Sequence, residues 1–408
     1  MEQPLSQTNT VILLNAAALH FGGGHTLALR FLELLPRVDP VTRYVALVCE
    51  GCGFEALKAD NLSPILVPWR RFSRMRQFLF YNLTVPALAR RLKASAVFSM
   101  GNFASFALPC PQAVIFHNPH FIYPETALSL LHSPPQRILY QWQRGLLRAG
   151  LRRSIVAAQT HSARRRLIDQ FALEPRNVHV IPNALAHASQ KMALDAHLLS
   201  RLAANPRPMK LLCLARYYPH KNLDLLLSVA HLLDRMAPGV FCILTTFSPA
   251  DHPRAESLAE AIAACPGASS PPIVNLGPVP AAQTVALFRH CWACLFPTLL
   301  ESFSGTYLEA MAAGRPILTS DRDFAREVCG EAALYFDPTN AQDVANAVLR
   351  LYRDPGLWDR LSTAALQRRR SYVRTWEDVT HDIVRLLHFV ARTATTPTSQ
   401  REQRLPTR

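Results

Sequence analysis

The 408-residue sequence contains no apolar run of the ~18–20 residues that a membrane-spanning helix needs, so we do not expect an integral membrane protein. Its nine cysteines are an odd number in a long chain, which argues against a secreted disulfide scaffold. With 49% hydrophobic residues and charges of both signs, the chain is neither disordered nor collagen-like. At roughly 100–200 residues per domain, the length favours two globular domains.

Two features resemble functional signals but have simpler interpretations. The pairs Cys49/Cys52 and Cys291/Cys294 have C-x-x-C spacing, and a zinc or redox site would need a matching pair or histidines nearby. We interpret the second pair as buried, reduced thiols. The apolar run 10–19 has no basic segment before it and no obvious cleavage site after it, so a first β-strand explains it better than a signal peptide.

Acidic residues are scarce in the first half of the chain. The whole sequence has 44 Lys and Arg against 29 Asp and Glu, whereas residues 61–168 have 15 basic residues and one acid, Glu125. Within this region, segments 69–81 and 136–153 interleave arginine with apolar residues at about helical spacing, which suits a helix on an anionic lipid surface. A basic face that packs on its own domain is an equally good interpretation. Nucleic-acid binding is less favoured, because no nucleic-acid motif accompanies the charge.

Short apolar runs alternate with amphipathic stretches along most of the chain, which is typical of β-α-β units in a parallel sheet. We predict two doubly wound domains, 1–183 and 209–394, joined by a linker, 184–208, and followed by a disordered tail, 395–408. The last helix of the second domain can pack back on the first domain. The predicted strands are 11–16, 44–48, 65–68, 96–100, 113–117, 155–158 and 178–181, then 211–215, 240–245, 273–276, 293–296 and 316–318.

The stretch 296–316 is the richest in chemical information. A predicted strand leads to Glu301, and the small residues 304–306 then open a helix that contains Glu309. Unpaired amides and the positive end of the helix dipole favour a phosphate oxygen at such a start. Glu309 lies roughly 6 Å along the helix from Gly305, at ~1.5 Å per residue. Two carboxylates therefore flank a phosphate site and can bind the hydroxyl groups of a sugar nucleotide.

Cations that would offset the phosphate charge follow another strand. Arg216 comes directly after strand 211–215, and Lys221 precedes the next helix, so both belong to the ligand-binding edge of the sheet. A guanidinium and an ammonium can neutralise a departing diphosphate without a metal ion. Asp321 and Asp323 resemble a metal-binding carboxylate pair, but Asp323 is better interpreted as a helix N-cap. We expect no bound metal and no cofactor.

These residues together resemble the retaining, GT-B-fold glycosyltransferases of family 4, whose motif is two glutamates separated by seven residues. Glu301 and Glu309 have this spacing, and the continuation A-M-A-A-G-R-P at 310–316 follows the family pattern. The resemblance is strong over about 210–350 and mostly topological before that. It implies an α/β protein with two doubly wound Rossmann-like domains facing across a cleft. Relatives commonly have glycine and leucine where this chain has Ser304 and Gly305. The sequence departs from the family pattern here, so the resemblance does not specify the geometry of these backbone amides.

The resemblance implies a role for each matching residue. Glu301 and His117 would contact the transferred sugar, and Arg216 and Lys221 would bind the diphosphate; these four are the expected catalytic residues. Taken alone, His117 could also be a structural histidine at a strand end, although this is the less favoured interpretation, and the glycines at 22–24 could equally suggest a dinucleotide site. The expected donor-binding residues are Gly23 and Gly24, Gly277 and Val279 beside the base, Phe303, Ser304, Gly305 and Thr306 near the distal phosphate, and Glu309 at the ribose.

The resemblance therefore predicts the retaining transfer of a hexose-type sugar from a nucleotide-sugar donor to a saccharide acceptor, without a metal ion. The basic first half favours a lipid-linked acceptor in the synthesis of lipopolysaccharide, capsule or exopolysaccharide. It also favours a cytoplasmic protein held peripherally on an anionic membrane, at the inner face of the cytoplasmic membrane, with no nucleic-acid partner. One alternative is a cytosolic glucan or disaccharide synthase of the same fold. The other is a non-catalytic module that binds saccharide or nucleic acid.

Overall fold

The computed structural model describes residues 10–20, 22–184, 193–265 and 270–393. The chain divides into two compact units. The first contains the described residues up to Ile122, those from His132 to Asn183, and those from Arg374 onward; the second contains Tyr123–Leu131 and the described residues from Ala184 to Val373. The predicted tail 395–408 and residues 185–192 of the predicted linker lie outside the described residues.

The first unit is built on one parallel sheet. Each of the seven strands predicted for this half is present, and the most central of them are fully buried, as in a sheet that helices cover on both faces. The strands are β1 (Val11–Ala16), β2 (Arg43–Cys49), β3 (Leu62–Val67), β4 (Ala96–Ser99), β5 (Gln112–Ile115), β6 (Ile155–Ala158) and β7 (Val178–Val180), in the order β3-β2-β1-β4-β5-β6-β7. The helices are α1 (Gly22–Val38), α2 (Arg74–Leu79), α3 (Val85–Arg91), α5 (Pro134–Leu151), α6 (His161–Phe171) and α15 (Trp376–Thr393).

The final helix, α15, is held to this unit by a buried carboxylate. Asp39 accepts hydrogen bonds from the Tyr44 hydroxyl and from Nε2 of His388 on α15, both at 2.7 Å. Burial raises the pKa of Asp39, but the hydrogen bonds from Tyr44 and Thr42 outweigh it, so the pKa lies below its usual value. The charged carboxylate is therefore satisfied, and it links α15 to the sheet of the first unit.

The second unit is also built on one parallel sheet, with one more strand than the sequence predicts. The additional strand β13 (Ala333–Phe336) forms an edge of the sheet. The other strands are β8 (Met209–Cys213), β9 (Phe241–Thr245), β10 (Ile273–Asn275), β11 (Ala293–Phe296) and β12 (Ile317–Ser320), in the order β10-β9-β8-β11-β12-β13. The helices are α4 (Pro124–Ser129), α7 (Ala196–Ala204), α8 (Leu225–Met236), α9 (Pro253–Ala263), α10 (Thr284–Arg289), α11 (Gly305–Ala312), α12 (Asp323–Cys329), α13 (Ala341–Arg353) and α14 (Pro355–Arg370).

Each sheet has one place where the strand order reverses. The reversal lies between β1 and β4 in the first sheet and between β8 and β11 in the second. Connections leave such a point in opposite directions, which opens a crevice at the carboxyl ends of the two strands where ligands bind. In the first unit β1 leads toward Gly22–Gly24, and in the second unit β11 leads to Glu301. The fold therefore brings the predicted site residues to the ligand-binding edge of each sheet.

Candidate functional site

A small pocket lies at the strand-order reversal of the second sheet. Its walls are the carboxyl ends of β8 and β11, the loops that follow them, and the first turn of α11. Four of the predicted site residues line it: Lys221, Glu301, Ser304 and Thr306. The pocket therefore combines a cation, a carboxylate and a helix start.

Lys221 and Glu301 form an ion pair inside this pocket. Nζ of Lys221 contacts Oε1 of Glu301, and the two side chains are 20% and 9% exposed. Partial removal of water strengthens their attraction, but each charge still needs partners for its other hydrogen-bonding positions. An ammonium has three N–H groups, so Lys221 can serve Glu301 and a ligand oxygen at the same time.

Backbone contacts fix the loop of Lys221 against the loop of Glu301. Asn222 adopts the left-handed conformation, with φ 58°, and its side-chain amide donates to the carbonyl of Pro297. The carbonyl of His220 accepts the amide of Leu299 at 2.8 Å. Because these bonds flank Lys221 on both sides, its ammonium is directed toward the carboxylate by the main chain as well as by charge.

Helix α11 begins at the predicted phosphate position. Ser304 is the N-cap residue, and Gly305 is the first residue of the helix, so the departure from the usual family sequence still leaves amides at the helix start. Gly305 is exposed, and a side chain there would project into open space. Phe303, one residue before the cap, is half-buried. The geometry suits a small anion approaching the first turn along the helix axis.

Arg216 lies beyond this lining, in an ion pair of its own. Its Nε is 3.4 Å from Oδ1 of Asp251, and the arginine side chain is 56% exposed. The other oxygen of Asp251 accepts the backbone amides of Tyr217 and Ser248, both at 3.1 Å. Exposed ion pairs contribute only about 0–1 kcal/mol, so a diphosphate could draw Arg216 from Asp251 at little cost.

Glu309 is held by a residue that sequence reasoning missed. The hydroxyl of Thr284, at the start of α10, donates to Oε1 of Glu309 at 3.0 Å. Burial raises the pKa of Glu309 to about 7, although the hydrogen bond from Thr284 acts in the opposite direction. A carboxyl group that titrates near neutral pH can lose its proton and then accept a hydrogen bond from a hydroxyl group of a ligand.

The segment expected to contact the base is supported from α7. Gly277 has φ 74°, a conformation that glycine adopts without strain, and its amide donates to Oδ1 of Asn275 at 3.2 Å. Arg201 on α7 donates to the carbonyls of Asn275 and Leu276. Val279 is half-buried just beyond this turn. The two carbonyl contacts of Arg201 therefore fix the backbone that leads into the turn.

In the first unit, His117 packs against the glycine segment. A Cβ added to Gly24 would lie 2.6 Å from Nε2 of His117, so only glycine fits at this position. The amide of His117 donates to Oδ1 of Asn102 at 2.7 Å. Burial lowers the pKa of His117 to about 4, so its imidazole is neutral at pH 7. Helix α1 is assigned from Gly22, whose φ of 75° is left-handed, so the glycine segment leads directly into the first turn of the helix.

The alternative metal pair is engaged in other contacts. Both oxygens of Asp321 contact Arg326, at 2.5 and 2.7 Å, and Asp323 accepts the Tyr123 hydroxyl at 2.8 Å. The prediction that Asp323 is the N-cap was wrong by one residue: α12 begins at Asp323, and Arg322 is its N-cap. The described residues contain no group of three or more His, Cys, Asp and Glu side chains that could hold a metal ion.

The two basic segments of the first unit lie side by side. The rings of Phe78 on α2 and Trp142 on α5 are 6.1 Å apart. Apolar side chains spaced four residues apart are exposed on both segments, and exposed arginines accompany them. In the described part of the chain, we find no helix both long and apolar enough to cross a bilayer. The exposed apolar side chains are Met75, Leu79, Ile138 and Trp142, with Leu83 just beyond the first segment; the arginines include Arg71, Arg74, Arg76, Arg137 and Arg148.

Local patterns could have identified some of the missed supporting residues. Asp251 ends the run Ser248-Pro-Ala-Asp251, whose spacing is that of a capping box, and the structure shows both of its hydrogen bonds. Thr284 precedes an apolar helix, which marks a helix start but gives no sign of a contact with Glu309. Arg201 lies in a helix with no motif around it. Its partners are backbone carbonyls some 75 residues away, which no local pattern specifies.

Substitution of Gly24 tests the contact with His117. Gly24→Ala forces a Cβ into the imidazole, so the free energy of unfolding should fall by roughly 1–3 kcal/mol, as overpacking usually costs. Gly23→Ala is the matched control in the same helical turn, because its Cβ would enter open space. It should be neutral or stabilising by up to about 1 kcal/mol, the gain in helix propensity. Urea unfolding measures both, and equal effects would contradict the geometry.

Substitution of Glu309 tests its raised pKa. Because the folded pKa is about 7 and the ordinary value is 4.5, the folded state binds more protons than the unfolded state between these values. Stability from this group is complete below pH 4.5 and is lost as the pH rises through 7. The Glu309→Gln protein should therefore lose about 2 kcal/mol less stability than wild type between pH 5 and pH 8 in urea unfolding. Glu260→Gln, at an exposed carboxylate, is the control. Parallel wild-type and Glu309→Gln curves would contradict the burial of this carboxylate.

Both halves of the sequence match known family models. Residues 21–188 match Glycosyltransferase Family 4, and residues 208–354 match Glycosyl transferases group 1. The serotype-specific mannosyltransferase WbdA of Escherichia coli is 26% identical over 173 residues, which is 42% of this chain and 20% of that protein. A D-inositol 3-phosphate glycosyltransferase of Pseudarthrobacter chlorophenolicus is 26% identical over 200 residues, which is 48% of this chain and 47% of that protein. The chain thus spans less than half the length of these relatives.

Solved structures share the fold over nearly the whole chain. Sucrose-phosphate synthase from Thermosynechococcus elongatus superposes with a TM-score of 0.71 at 14% identity, covering 94% of this chain and 100% of that one. WaaG, a glycosyltransferase involved in lipopolysaccharide biosynthesis, gives 0.69 at 13% identity, with 92% and 99% covered. HepE from Anabaena, solved with UDP and glucose, gives 0.66 at 16% identity, with 93% and 100% covered. Since both halves match the family and the fold is GT-B, the chain belongs to the family 4, or group 1, glycosyltransferases.

Proposed function

We propose that this protein transfers a hexose-type sugar from a nucleotide-sugar donor to a saccharide acceptor, with retention at the anomeric carbon and without a metal ion. The observation that carries the proposal is the pairing of Lys221 with Glu301 in a pocket that also contains the start of α11. A cation and helix amides can bind a diphosphate, while a carboxylate beside them can accept sugar hydroxyls.

The donor assignment follows the order of groups along the second unit. Lys221, joined by Arg216, would bind the diphosphate, and the amides at Ser304 and Gly305 would bind its distal phosphate. Glu309 would accept the ribose hydroxyls, since Thr284 already holds its carboxylate in place. Gly277 and Val279 would contact the base through the turn that Arg201 supports.

Charge stabilisation at the departing diphosphate is the main contribution to catalysis in this proposal. Departure of the leaving group precedes attack by the acceptor on the same face of the sugar, and a diphosphate oxygen takes the acceptor's proton. Preorganised cations and amides stabilise the charge that develops on that oxygen. The neutral imidazole of His117 is the proposed sugar contact from the first unit. Its low pKa, about 4, makes it a hydrogen-bonding group rather than a competing cation.

Substitution of Lys221 tests this contribution. Lys221→Met removes the charge but keeps much of the apolar side chain, so release of nucleoside diphosphate from the donor should slow by about 10²–10³-fold. Lys221→Arg should retain part of the rate because it keeps a cation. Arg254→Met, which breaks an exposed ion pair with Asp224 in the same unit, is the control. Near-normal turnover by correctly folded Lys221→Met would contradict the proposal, and circular dichroism checks the fold.

For the acceptor, we propose a lipid-linked saccharide of cell-envelope polysaccharide synthesis. Two of the similar proteins support this: WbdA is named a serotype-specific mannosyltransferase, and WaaG acts in lipopolysaccharide biosynthesis. An acceptor anchored in a membrane would require the enzyme to work at the membrane surface, on its cytoplasmic side, where the nucleotide-sugar donor is made.

The exposed face of α2 and α5 supports such a location. Met75 and Leu79 on α2 are four residues apart, as are Ile138 and Trp142 on α5, so each pair lies on one helix face. Leu83, in the π-helical turn Phe80–Thr84 that follows α2, is also exposed. Met75 is 66% and Ile138 is 71% exposed, which is high for apolar side chains of this size. Arginines flank both sets. Apolar side chains can enter the lipid interface while the guanidinium groups bind anionic headgroups.

Vesicle flotation tests the membrane surface. Wild-type protein should float with vesicles that contain anionic lipid. With neutral vesicles most of it should stay at the bottom of the gradient, because membrane binding needs both charge attraction and apolar contact. Leu79→Ser combined with Ile138→Ser should lower recovery several-fold. Val41→Ser, at an exposed apolar residue outside both segments, is the matched control. Equal recovery with the two kinds of vesicle would contradict the membrane proposal and favour a soluble acceptor.

A further inference from the structure

Cys49 and Cys52 form a close thiol pair that the proposed reaction does not use. Cys49 is the last residue of β2 and is fully buried, whereas Cys52 lies in the following turn and is partly exposed. Both are free thiols, and their Sγ atoms are 2.7 Å apart. This separation is shorter than the van der Waals contact of two sulfur atoms, so the two thiols already lie where a disulfide bond can form.

The turn that carries Cys52 can accommodate formation of this bond. Gly51 and Gly53 flank Cys52 with φ of 70° and 83°, conformations open to glycine. A Cβ at either glycine would enter open space, so no neighbouring side chain packs against the turn at these two positions. Two contacts hold the backbone of this turn: the amide of Gly51 donates to the Glu55 carboxylate, and the carbonyl of Cys52 lies 2.7 Å from Nε2 of His25. The open space beside the turn leaves room for the Cys52 side chain to move toward Cys49, which is fixed in the sheet.

The second C-x-x-C pair provides a contrast inside the same chain. Cys291 and Cys294 have the same spacing, but both are buried, at 2% and 0% exposure, beside and within β11. A reagent in solution can reach Cys52 but not these two thiols. The C-x-x-C spacing therefore does not distinguish the two pairs. The first pair differs from the second in its close sulfur contact and in the exposure of one of its two thiols.

We propose that Cys49 and Cys52 are a thiol–disulfide exchange site for a low-molecular-weight disulfide. The Cys52 thiolate attacks one sulfur of the reagent, which forms a mixed disulfide and releases the first thiol. Cys49 then loses its proton and attacks Sγ of Cys52, which closes the protein disulfide and releases the second thiol. The two protein thiols are oxidised and the reagent is reduced to two thiols. Burial raises the pKa of Cys49 to about 12, which is consistent with Cys52 attacking first.

Closure would act on the glycine segment at the start of α1. The carbonyl of Cys52 is 2.7 Å from Nε2 of His25, the residue after Gly24. His25 also packs edge-on against Phe54, just beyond the turn. Moving Cys52 toward Cys49 therefore changes the support of His25, and with it the segment in which Gly24 contacts His117.

Peptide mass spectrometry tests the proposal, because trypsin releases both thiols in one peptide, 44–58, with no other cysteine. After folded protein is treated with oxidised glutathione, this peptide should be two hydrogens lighter and resist alkylation, and dithiothreitol should reverse both changes. Peptide 290–322, which contains Cys291 and Cys294, should remain reduced and is the internal control. A peptide 44–58 that is alkylated at both thiols, or carries a lasting glutathione adduct, would overturn the proposal.

Single substitutions test the order of attack. Cys49→Ser should accumulate a mixed disulfide at Cys52, whereas Cys52→Ser should leave Cys49 unmodified in the folded protein. An adduct on Cys49 at the same rate would overturn the assigned roles. None of these measurements uses a sugar donor, so the result stands apart from the proposed transfer reaction.

Discussion

The pairing of Lys221 with Glu301 is the constraint on which the second unit's pocket depends. The Lys221 side chain is four-fifths buried, so its charge needs a partner to offset the loss of water, and Glu301 supplies that anion in the structure. We propose that an arriving diphosphate accepts a second hydrogen bond from this ammonium, while Glu301 remains paired with it and accepts sugar hydroxyls. The same two residues would then serve stability without ligand and recognition with it.

The surrounding fold keeps this pair in place. The reversal of strand order between β8 and β11 opens the crevice, and the bonds at Asn222 join the loops that carry the two charges. The first turn of helix α11 lines the same pocket. The carboxylate of Glu309 has different surroundings. Burial raises its pKa and so disfavours the charged form, whereas the hydrogen bond from the Thr284 hydroxyl lowers the pKa and favours that form. Neighbouring glutamates of one motif thus meet different electrostatic surroundings.

The sequence was informative where local pattern and chemistry coincide. Alternating apolar runs predicted all seven strands of the first sheet, and the spacing of Glu301 and Glu309 identified the pocket helix. The sequence could not show contacts between distant segments, such as Thr284 with Glu309. Strand β13 was missed because its run, A-L-Y-F, is short and only partly buried. The engagement of Arg216 with Asp251 likewise depends on the fold that brings two loops together.

The most direct test compares a nucleoside diphosphate with its parent nucleoside by titration calorimetry, using the uridine, guanosine and adenosine pairs. We expect at least one diphosphate to bind about 100-fold or more tightly than its nucleoside, because charge-assisted bonds to phosphate contribute about 2.8 kcal/mol or more. Equal affinity for the two members of every pair, or no binding by any diphosphate, would contradict the claim that this pocket is built for a diphosphate.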